Sequence, residues 1–196
     1  MKLDLVCATR KNLTLLAAAA LIVAATVAAP AAVSFFGLNF PDRVAAAKLG
    51  PINEYEKTKP GLGYGVEYLQ PNWKINIFIY DLGKTAIPDD LASEVLTSQL
   101  KQAQGDILEL QKQGIYAKVD LKRNRTLKDG GGRPRFLCSD FAYVHAKAGN
   151  VDSFLCLTGW KNKFVKFRLT AAQHGGSQAE ADRFMQAWAK LLWPGR

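Results

Sequence analysis

The chain has 196 residues, of which 48% are hydrophobic and 22% charged, and its formal net charge is +9 at pH 7. A chain of this length can form one domain that buries about 70% of its unfolded surface, so a single core is expected. The basic excess favours anionic partners. Outside the cytoplasm these are lipid head groups, lipopolysaccharide, acidic glycans or an acidic protein rather than nucleic acid.

The N-terminus has the pattern of an export signal. Residues 13–36 form a run of 24 residues without a charge, and this run is preceded by Lys2, Arg10 and Lys11. Positive charge before an apolar run predicts export across the inner membrane of a bacterial cell. Residues 1–31 are therefore assigned to a signal peptide. The alternative is a membrane anchor, because the run exceeds the roughly 20 residues that span a bilayer.

Cleavage after Ala31 is favoured, because Ala29-Pro30-Ala31 places small residues at the end of the apolar run; Ala45 to Ala47 is a second candidate. Cleavage after Ala31 leaves 165 residues, with 23 basic and 16 acidic side chains and a net charge of +7. The predicted location is periplasmic or secreted. The alternative is the inner membrane with a single N-terminal anchor, and membrane contact is expected only through this segment if it is not cleaved.

Residues 32–60 show no lasting period and contain several proline and glycine residues, so they are predicted to be a linker or an N-terminal arm. Residues 61–196 are predicted to form a single α+β domain. Its first strand covers residues 61–68, where apolar and polar side chains alternate. The next covers residues 74–80, which are apolar on both faces and so are expected to be covered on both sides.

The longest helical period runs from Pro88 to Gly114 and predicts a helix over about residues 89–113. Its apolar stripe consists of Leu91, Val95, Leu96, Leu100, Ala103, Ile107 and Leu110. Asp89 and Asp90 offer an N-cap, and Gly114 offers a left-handed C-terminal stop. Gly105 is a point at which the helix can kink or end.

The rest of the chain reads as strands followed by a second helix. Alternation predicts strands near residues 115–122 and 165–169, and a hairpin with arms Phe136 to Lys147 and Asp152 to Trp160. Ser177 and Glu180 form the capping box of a C-terminal helix over about residues 178–192. The predicted fold is thus α+β, a curved antiparallel sheet of about five to six strands with both helices packed on it.

The element order and a few residues resemble the PsbP-like family of small exported proteins, which includes the DcrB-like lipoproteins. The likeness rests on the segment Tyr68-Leu69-Gln70-Pro71-Asn72-Trp73 at the end of the first strand and on Phe184 and Trp188 of the last helix. It covers about residues 61–192. The family commonly has another strand before its first long helix, whereas at most two are predicted here. The resemblance implies a sheet with helices packed on it and a non-enzymatic accessory or binding role, and it transfers no functional residue.

Two cysteines, Cys138 and Cys156, are candidates for a disulfide in an oxidising compartment. A hairpin turn near Gly149 and Asn150 would place Cys138 opposite residue 161 and Cys156 opposite residue 143. A bridge then requires a bulge or a different turn. The alternative is two small buried hydrophobic side chains.

Basic residues are densest between residues 118 and 135. The predicted anion-binding or partner-binding face combines this group with two cations of a later strand, and it consists of Lys118, Lys122, Arg123, Arg125, Arg133, Arg135, Lys166 and Arg168. Such a face would attract anions in a salt-sensitive way. The alternative is a solvated sheet surface, because lysine is common on edge strands. Tyr68 and Trp73, near a turn, are candidates for lining a ligand groove.

No catalytic residue, metal site or cofactor is predicted. His145 and His174 are expected to be structural, and the cysteines and histidines lack a short metal-ligand spacing. The sequence favours an exported, non-enzymatic accessory or binding protein of the cell envelope. The alternatives are an envelope hydrolase that uses Cys or His and a domain anchored in the inner membrane as part of a larger complex; the oligomeric state is left open.

Overall fold

The structure is a computed structural model that describes residues 32–195. The predicted signal peptide or anchor, residues 1–31, lies outside the described residues. The elements, in chain order, are β1 Val33–Phe35, β2 Leu38–Phe40, β3 Arg43–Val44, β4 Ala47–Glu54, a short 3₁₀ helix Tyr55–Lys57, β5 Tyr64–Gln70, β6 Trp73–Tyr80, α1 Glu94–Lys112, β7 Tyr116–Lys128, β8 Pro134–His145, β9 Gly149–Trp160, β10 Lys163–Ala172 and α2 Gln178–Leu192.

Eight strands form one antiparallel sheet in the order β3-β4-β5-β6-β10-β9-β8-β7, and β1 and β2 form a separate hairpin. The predicted α+β class with an antiparallel sheet and two helices is confirmed. The predicted size of five to six strands is too small, because β3 and β4 lie in the segment that was predicted to be a linker.

That segment belongs to the folded domain. Leu38, Phe40 and Val44 are almost completely buried, and the Phe40 ring lies 5.4 Å from the ring of Trp188 in α2. The hydroxyl of Tyr68 donates a hydrogen bond to the carbonyl oxygen of Pro41 at 2.7 Å. Residues 33–54 therefore contain four strands of the folded domain, where a linker or an N-terminal arm was predicted. Strands of two or three residues are too short to show a period in the sequence, and β4 is interrupted by Gly50-Pro51 at an irregularity in its pairing between Leu49 and Ile52.

The first helix starts later than predicted. Asp90 Oδ1 accepts a hydrogen bond from the backbone N–H of Ala92 in a turn, and Ser93 is the N-cap, its hydroxyl accepting from the N–H of Leu96 at 3.3 Å. Asp90 therefore stabilises the turn before the helix and is not its N-cap. The helix continues through Gly105, and Gly114 takes the predicted left-handed conformation with φ +73°.

The two helices cover opposite faces of the sheet. The buried side of α1 packs on Phe141, Leu155 and Leu157, whereas that of α2 packs on the core that contains Ile77 and Phe167. Strand β6 alternates between the two cores, but α1 covers only its end at Phe78 and Tyr80. The prediction that both faces are covered holds for that end, whereas Lys74 is exposed. The capping box of Ser177 and Glu180 at the start of α2 is also confirmed.

The hairpin of β8 and β9 turns earlier than predicted. His145 pairs with Gly149, so the turn covers residues 146–148, and Cys138 stands directly opposite Cys156. The two cysteines form a disulfide with their Cα atoms 4.1 Å apart. The predicted offset between them is wrong, because it rested on a turn centred about three residues too late. Both cysteines are buried on the α2 face.

Within residues 32–195, no helix is both long enough and apolar enough to span a membrane.

Candidate functional site

Two arginines of the predicted basic face meet a buried carboxylate. Arg123 Nε lies 2.7 Å and Arg125 Nε 3.0 Å from Asp140 Oδ2, and the Asp140 side chain is only 8% exposed. Arg123 also contacts Gln178, and Arg125 Nη2 lies 2.8 Å from Asp182 Oδ1; both partners belong to α2. These two cations therefore hold the edge strand β7 against α2.

Arg135 is also paired within the fold. Its Nε lies 2.7 Å from Asp129 Oδ2, and its guanidinium stands 4.6 Å from the ring centroid of Trp193. The hydrogen bond from Arg135, together with backbone N–H donors of the turn, holds the pKa of Asp129 below its usual value. Arg135 thus closes the β7–β8 turn and packs against the end of α2. Arg133 is exposed in the same turn.

Lys118 and Lys122 share one exposed carboxylate. Their Nζ atoms lie 3.3 and 3.4 Å from Asp120 Oδ2, and the hydrogen bond from Lys118 is the first reason that the pKa of Asp120 is lowered. Both pairs are exposed to solvent, where ion pairs contribute little to stability.

The last two predicted cations, Lys166 and Arg168, point to the other face of the sheet. Strand β10 is two strands away from β8 and three from β7 in the sheet order. Lys166 Nζ stands 4.8 Å from the ring centroid of Phe78, and Arg168 contacts Tyr116 and Tyr143, all of which lie on the α1 side. The structure therefore does not bring the eight cations together on one face.

Lys166 and Arg168 lie in a groove beside α1, where the helix leaves part of β6 and β10 uncovered. Two neighbouring cavities form this groove, one of about 320 Å³ and one of about 580 Å³, and they share Lys74, Asn76 and Arg168. The smaller cavity is also lined by Tyr55, Glu67, Phe78, Ala103, Asp106, Ile107, Leu155 and Lys166. The larger one extends past Tyr116, Tyr143, His145, Val151 and Thr170 to Trp73. We call this surface the α1 groove.

The strand register explains how the groove gathers its cations. Asn76 of β6 stands opposite Arg168 of β10, and Lys74 stands opposite Thr170. Residues two apart on a strand point to the same face about 7 Å from each other, so Lys166 and Arg168 follow one another along the floor. Three cations therefore line one side of the sheet within two neighbouring strands.

None of the ion pairs among residues 32–195 includes Lys74, Lys166 or Arg168. Burial lowers the pKa of Lys166, Asp106 opposes this effect, and the positive charge of Arg168 adds to it. The groove thus holds a partly desolvated ammonium next to a guanidinium. An anion bound there would relieve the repulsion between them.

Arg168 is held in place by two tyrosines. Its Nη2 donates to the hydroxyl oxygens of Tyr116 at 3.0 Å and Tyr143 at 3.5 Å, and the two tyrosine rings stack with centroids 4.1 Å apart. A guanidinium carries five N–H donors, so the remaining ones can meet a carboxylate or phosphate. Burial raises the pKa of Tyr116, which keeps its hydroxyl protonated at neutral pH.

Sequence reasoning missed Lys74, Asn76, Tyr55 and Asp106 as members of the groove. The first two lie in a strand whose other face is core, and only its pairing with the distant β10 puts them beside Arg168. Tyr55 passes over Gly65, where an added Cβ would lie 2.9 Å from the Tyr55 ring. A glycine in the middle of a strand often marks such a close approach and could have pointed to it.

The two aromatic residues predicted for a groove have different positions. Tyr68 is completely buried, and its ring lies near those of Phe184 and Trp188, so it belongs to the core on the α2 side. Trp73 is 8% exposed and lies at one end of the larger cavity, with its ring 6.0 Å from that of Phe154.

The residues considered for catalysis are engaged elsewhere or exposed. The disulfide leaves neither Cys138 nor Cys156 as a free thiol. His145 Nδ1 accepts hydrogen bonds from the backbone N–H groups of Lys147 and Ala148, so it closes the hairpin turn, while His174 is exposed. Among residues 32–195, no group of three His, Cys, Asp or Glu side chains is close enough to hold a metal ion.

No protein-family model matches the chain, and neither does any curated protein. Among solved structures, the chain is similar to the solution structure of PsbP from the cyanobacterium Synechocystis, with a TM-score of 0.41, 11% identity and coverage of 79% of this chain and 81% of that one. It is also similar to a protein of unknown function from Pseudomonas aeruginosa, described as a putative regulator, with a TM-score of 0.32, 13% identity and coverage of 81% and 90%. The PsbP-like resemblance seen in the sequence is thus found again among structures, and no function is transferred from it.

Proposed function

We propose that this protein is an exported, non-enzymatic accessory protein of the cell envelope that binds an anionic component in the α1 groove. The observation that carries the proposal is the set of three cations, Lys74, Lys166 and Arg168, which face one groove and form no ion pair among residues 32–195. The cations of the α2 face are different, because Arg123, Arg125 and Arg135 are neutralised by carboxylates of the fold itself.

Export is supported by the disulfide and by the N-terminal sequence. A bridge between Cys138 and Cys156 fits an oxidising compartment such as the periplasm. The basic residues before the apolar run fit a segment that directs the chain across the inner membrane. In that compartment the anionic partner is a component of the envelope or an acidic protein.

The accessory role is supported by the shape and chemistry of the groove. It is open along the sheet, and its polar groups are cations, carboxylates, hydroxyls, the Asn76 amide and the His145 imidazole. The Nδ1 of His145 accepts hydrogen bonds from the hairpin turn, and the residues that line the groove include no serine or cysteine that could act as a nucleophile with it. A hydrolase that uses Cys is disfavoured, because the bridge occupies both sulfur atoms.

The test is retention of the purified protein on envelope fractions at low and high salt. The variant Lys166→Gln/Arg168→Gln should lose most of the salt-sensitive retention, because it removes two of the three groove cations. The matched control, Lys118→Gln/Lys122→Gln, removes two exposed lysines of the other face and should be retained like the parent protein. Equal retention of the parent and the groove variant would refute the proposal.

Replacing Arg123, Arg125 and Arg135 is unsuited to this test. Each is part of an internal ion pair, so a charge reversal there would disturb the packing of α2 on β7 as well as the surface charge. A loss of binding in such a variant would not distinguish the loss of a binding group from a loss of folded structure.

A further inference from the structure

The α1 groove carries carboxylates as well as cations. Glu67 and Asp106 line the smaller cavity together with Lys166 and Arg168, and no ion pair joins the acids to the cations among residues 32–195. Asn76 and Thr170 add an amide and a hydroxyl to the floor. A ligand that fills this groove therefore meets hydrogen-bond donors and acceptors side by side.

An aromatic side chain forms the rim. Tyr55 lies at the edge of the smaller cavity with 39% of its surface exposed, and the glycine beneath it, Gly65, leaves room for its ring next to Phe78. An exposed ring beside polar groups can stack on the C–H face of a sugar.

The mixture of groups discriminates between anions. A polyphosphate or a nucleic acid presents phosphate charge along its whole length, and Glu67 and Asp106 would repel it. A lipid tail would leave the buried ends of Lys166, Asn76 and Arg168 without polar partners. A sugar acid offers hydroxyl groups that donate to the two carboxylates and a carboxylate that accepts from the cations.

We infer that the α1 groove binds an acidic oligosaccharide, with a uronate carboxylate at Lys166 and Arg168, a sugar ring stacked on Tyr55, and hydroxyl groups at Glu67 and Asp106. This inference rests on the proposed function, in which the groove is the binding surface for an anion. It adds the chemical class of the ligand. The two adjoining cavities give room for more than one sugar unit.

The experiment measures binding by calorimetry with three probes of uronic acid: oligogalacturonate, oligomannuronate and hyaluronan oligosaccharides. Each is compared with a neutral oligosaccharide of the same length and with polyphosphate. At least one uronate should bind ten or more times more tightly than both comparison ligands. Tyr55→Ala should weaken this binding about tenfold, whereas Tyr55→Phe, which keeps the ring, should change it less than twofold.

A nearly isosteric double variant that removes both negative charges tests the acids. Glu67→Gln/Asp106→Asn should weaken uronate binding and strengthen polyphosphate binding. It replaces the charged acceptors for sugar hydroxyls with weaker amide acceptors, and it removes the repulsion of phosphate. Binding of none of the three uronates, or equal binding of uronate and polyphosphate with no effect of Tyr55→Ala, overturns the inference. In either case the proposed function still stands if Lys166→Gln/Arg168→Gln abolishes retention on envelope fractions. A failure of the sugar-acid inference can therefore be told apart from a failure of the proposed function.

Discussion

Asp182 Oδ1 of α2 lies 2.8 Å from Arg125 Nη2 of β7, so a carboxylate on the last helix holds a guanidinium of the edge strand. The same guanidinium contacts the buried Asp140 through its Nε. One arginine thus joins two consecutive strands to a helix residue that lies 57 positions further along the chain. Arg125 was predicted to belong to a basic binding surface, but in the structure it holds the parts of the fold together.

The first prediction follows from that contact. Arg125→Ala should lower the free energy of unfolding by about 2 kcal/mol, because it leaves the buried Asp140 with only the half-exposed Arg123 as a partner. Urea denaturation gives the value. The control is Arg133→Ala at the exposed turn, which should stay within about 0.5 kcal/mol of the parent. Equal stability of the two variants would show that Arg125 is a surface residue.

The second prediction concerns the disulfide, which closes a segment of 18 residues between β8 and β9. The variant Cys138→Ala/Cys156→Ala should lose about 3 kcal/mol of stability from the loss of this constraint on the unfolded chain. Unfolding of the parent protein in urea with and without a reductant measures the same quantity. If the urea midpoint of the parent protein is the same with and without the reductant, the two cysteines are not bridged and the prediction is wrong.

The third prediction is that replacing Lys166 raises the stability of the protein and weakens its binding. Burial lowers the pKa of this lysine, so its charged form is destabilised in the fold at neutral pH. Lys166→Met should therefore raise the free energy of unfolding, by about 1 kcal/mol, while weakening retention on envelope fractions. Chemical denaturation and the retention assay are run on the same sample.

Burial disfavours the charge of Lys166 although this charge faces the groove, and a ligand is the best explanation for keeping it there. The matched change is Lys163→Met on the same strand, whose ammonium pairs with Asp81. It should lower stability, because it removes a paired charge and leaves Asp81 alone. If both substitutions change the free energy of unfolding in the same direction, the proposed difference between Lys166 and Lys163 is wrong.

The fourth prediction is the pH dependence of anion binding. The charged groups that face Lys166 are Asp106, Glu67, Arg168 and Lys74. The buried Tyr80 also faces it, and burial raises the pKa of this tyrosine. Burial lowers the pKa of Lys166, so this lysine should lose its charge at a lower pH than an exposed lysine does.

A bound anion raises the pKa of Lys166, so binding takes up a proton when the pH lies between the lowered pKa of the free protein and the higher pKa of the complex. Affinity should fall as the pH rises through this window. Binding titrations from pH 7 to pH 10 at constant ionic strength measure the slope. Lys166→Arg keeps its charge and should flatten the profile; an unchanged slope in that variant would assign the effect to another group.

Long-range pairing decides which parts of this protein could be predicted from its sequence. The helices α1 and α2 were found because each carries a period over several turns, and the capping box of Ser177 and Glu180 marks a boundary with local contacts alone. The groove could not be found in this way. It depends on the pairing of β6 with β10, which follows β6 by more than 80 residues. The residues around Lys74 and Asn76 carry no local pattern that predicts β10 as the neighbouring strand.

The cysteine pair shows the same limit on a smaller scale. Whether Cys138 faces Cys156 depends on the position of the turn, and a shift of the turn centre by one residue moves the partner of a cysteine by two. The predicted turn was placed at a glycine and an asparagine, which are common turn residues. In the structure both of these residues already belong to β9, so composition alone misplaced the register.

The fifth prediction concerns the start of the mature chain. The sequence offers two candidate cleavage sites, after Ala31 and after Ala47. The fold favours the first of them. Cleavage after Ala31 would leave β1 intact, whereas cleavage after Ala47 would remove Leu38, Phe40 and Val44 from the core. Loss of one large buried aromatic residue costs about 3–5 kcal/mol, which is comparable to the whole stability of many domains.

A chain that begins at Ala32 should therefore fold cooperatively, and one that begins at Lys48 should not. Circular dichroism during urea unfolding separates the two, and Phe40→Ala in the longer chain should show an intermediate loss of stability. If the protein is processed during export, mass spectrometry of the exported form should find Ala32 as the first residue. A mature protein that begins at Lys48 would contradict the prediction, because its sheet would have lost β3 and the cover that β1 and β2 give to Trp188.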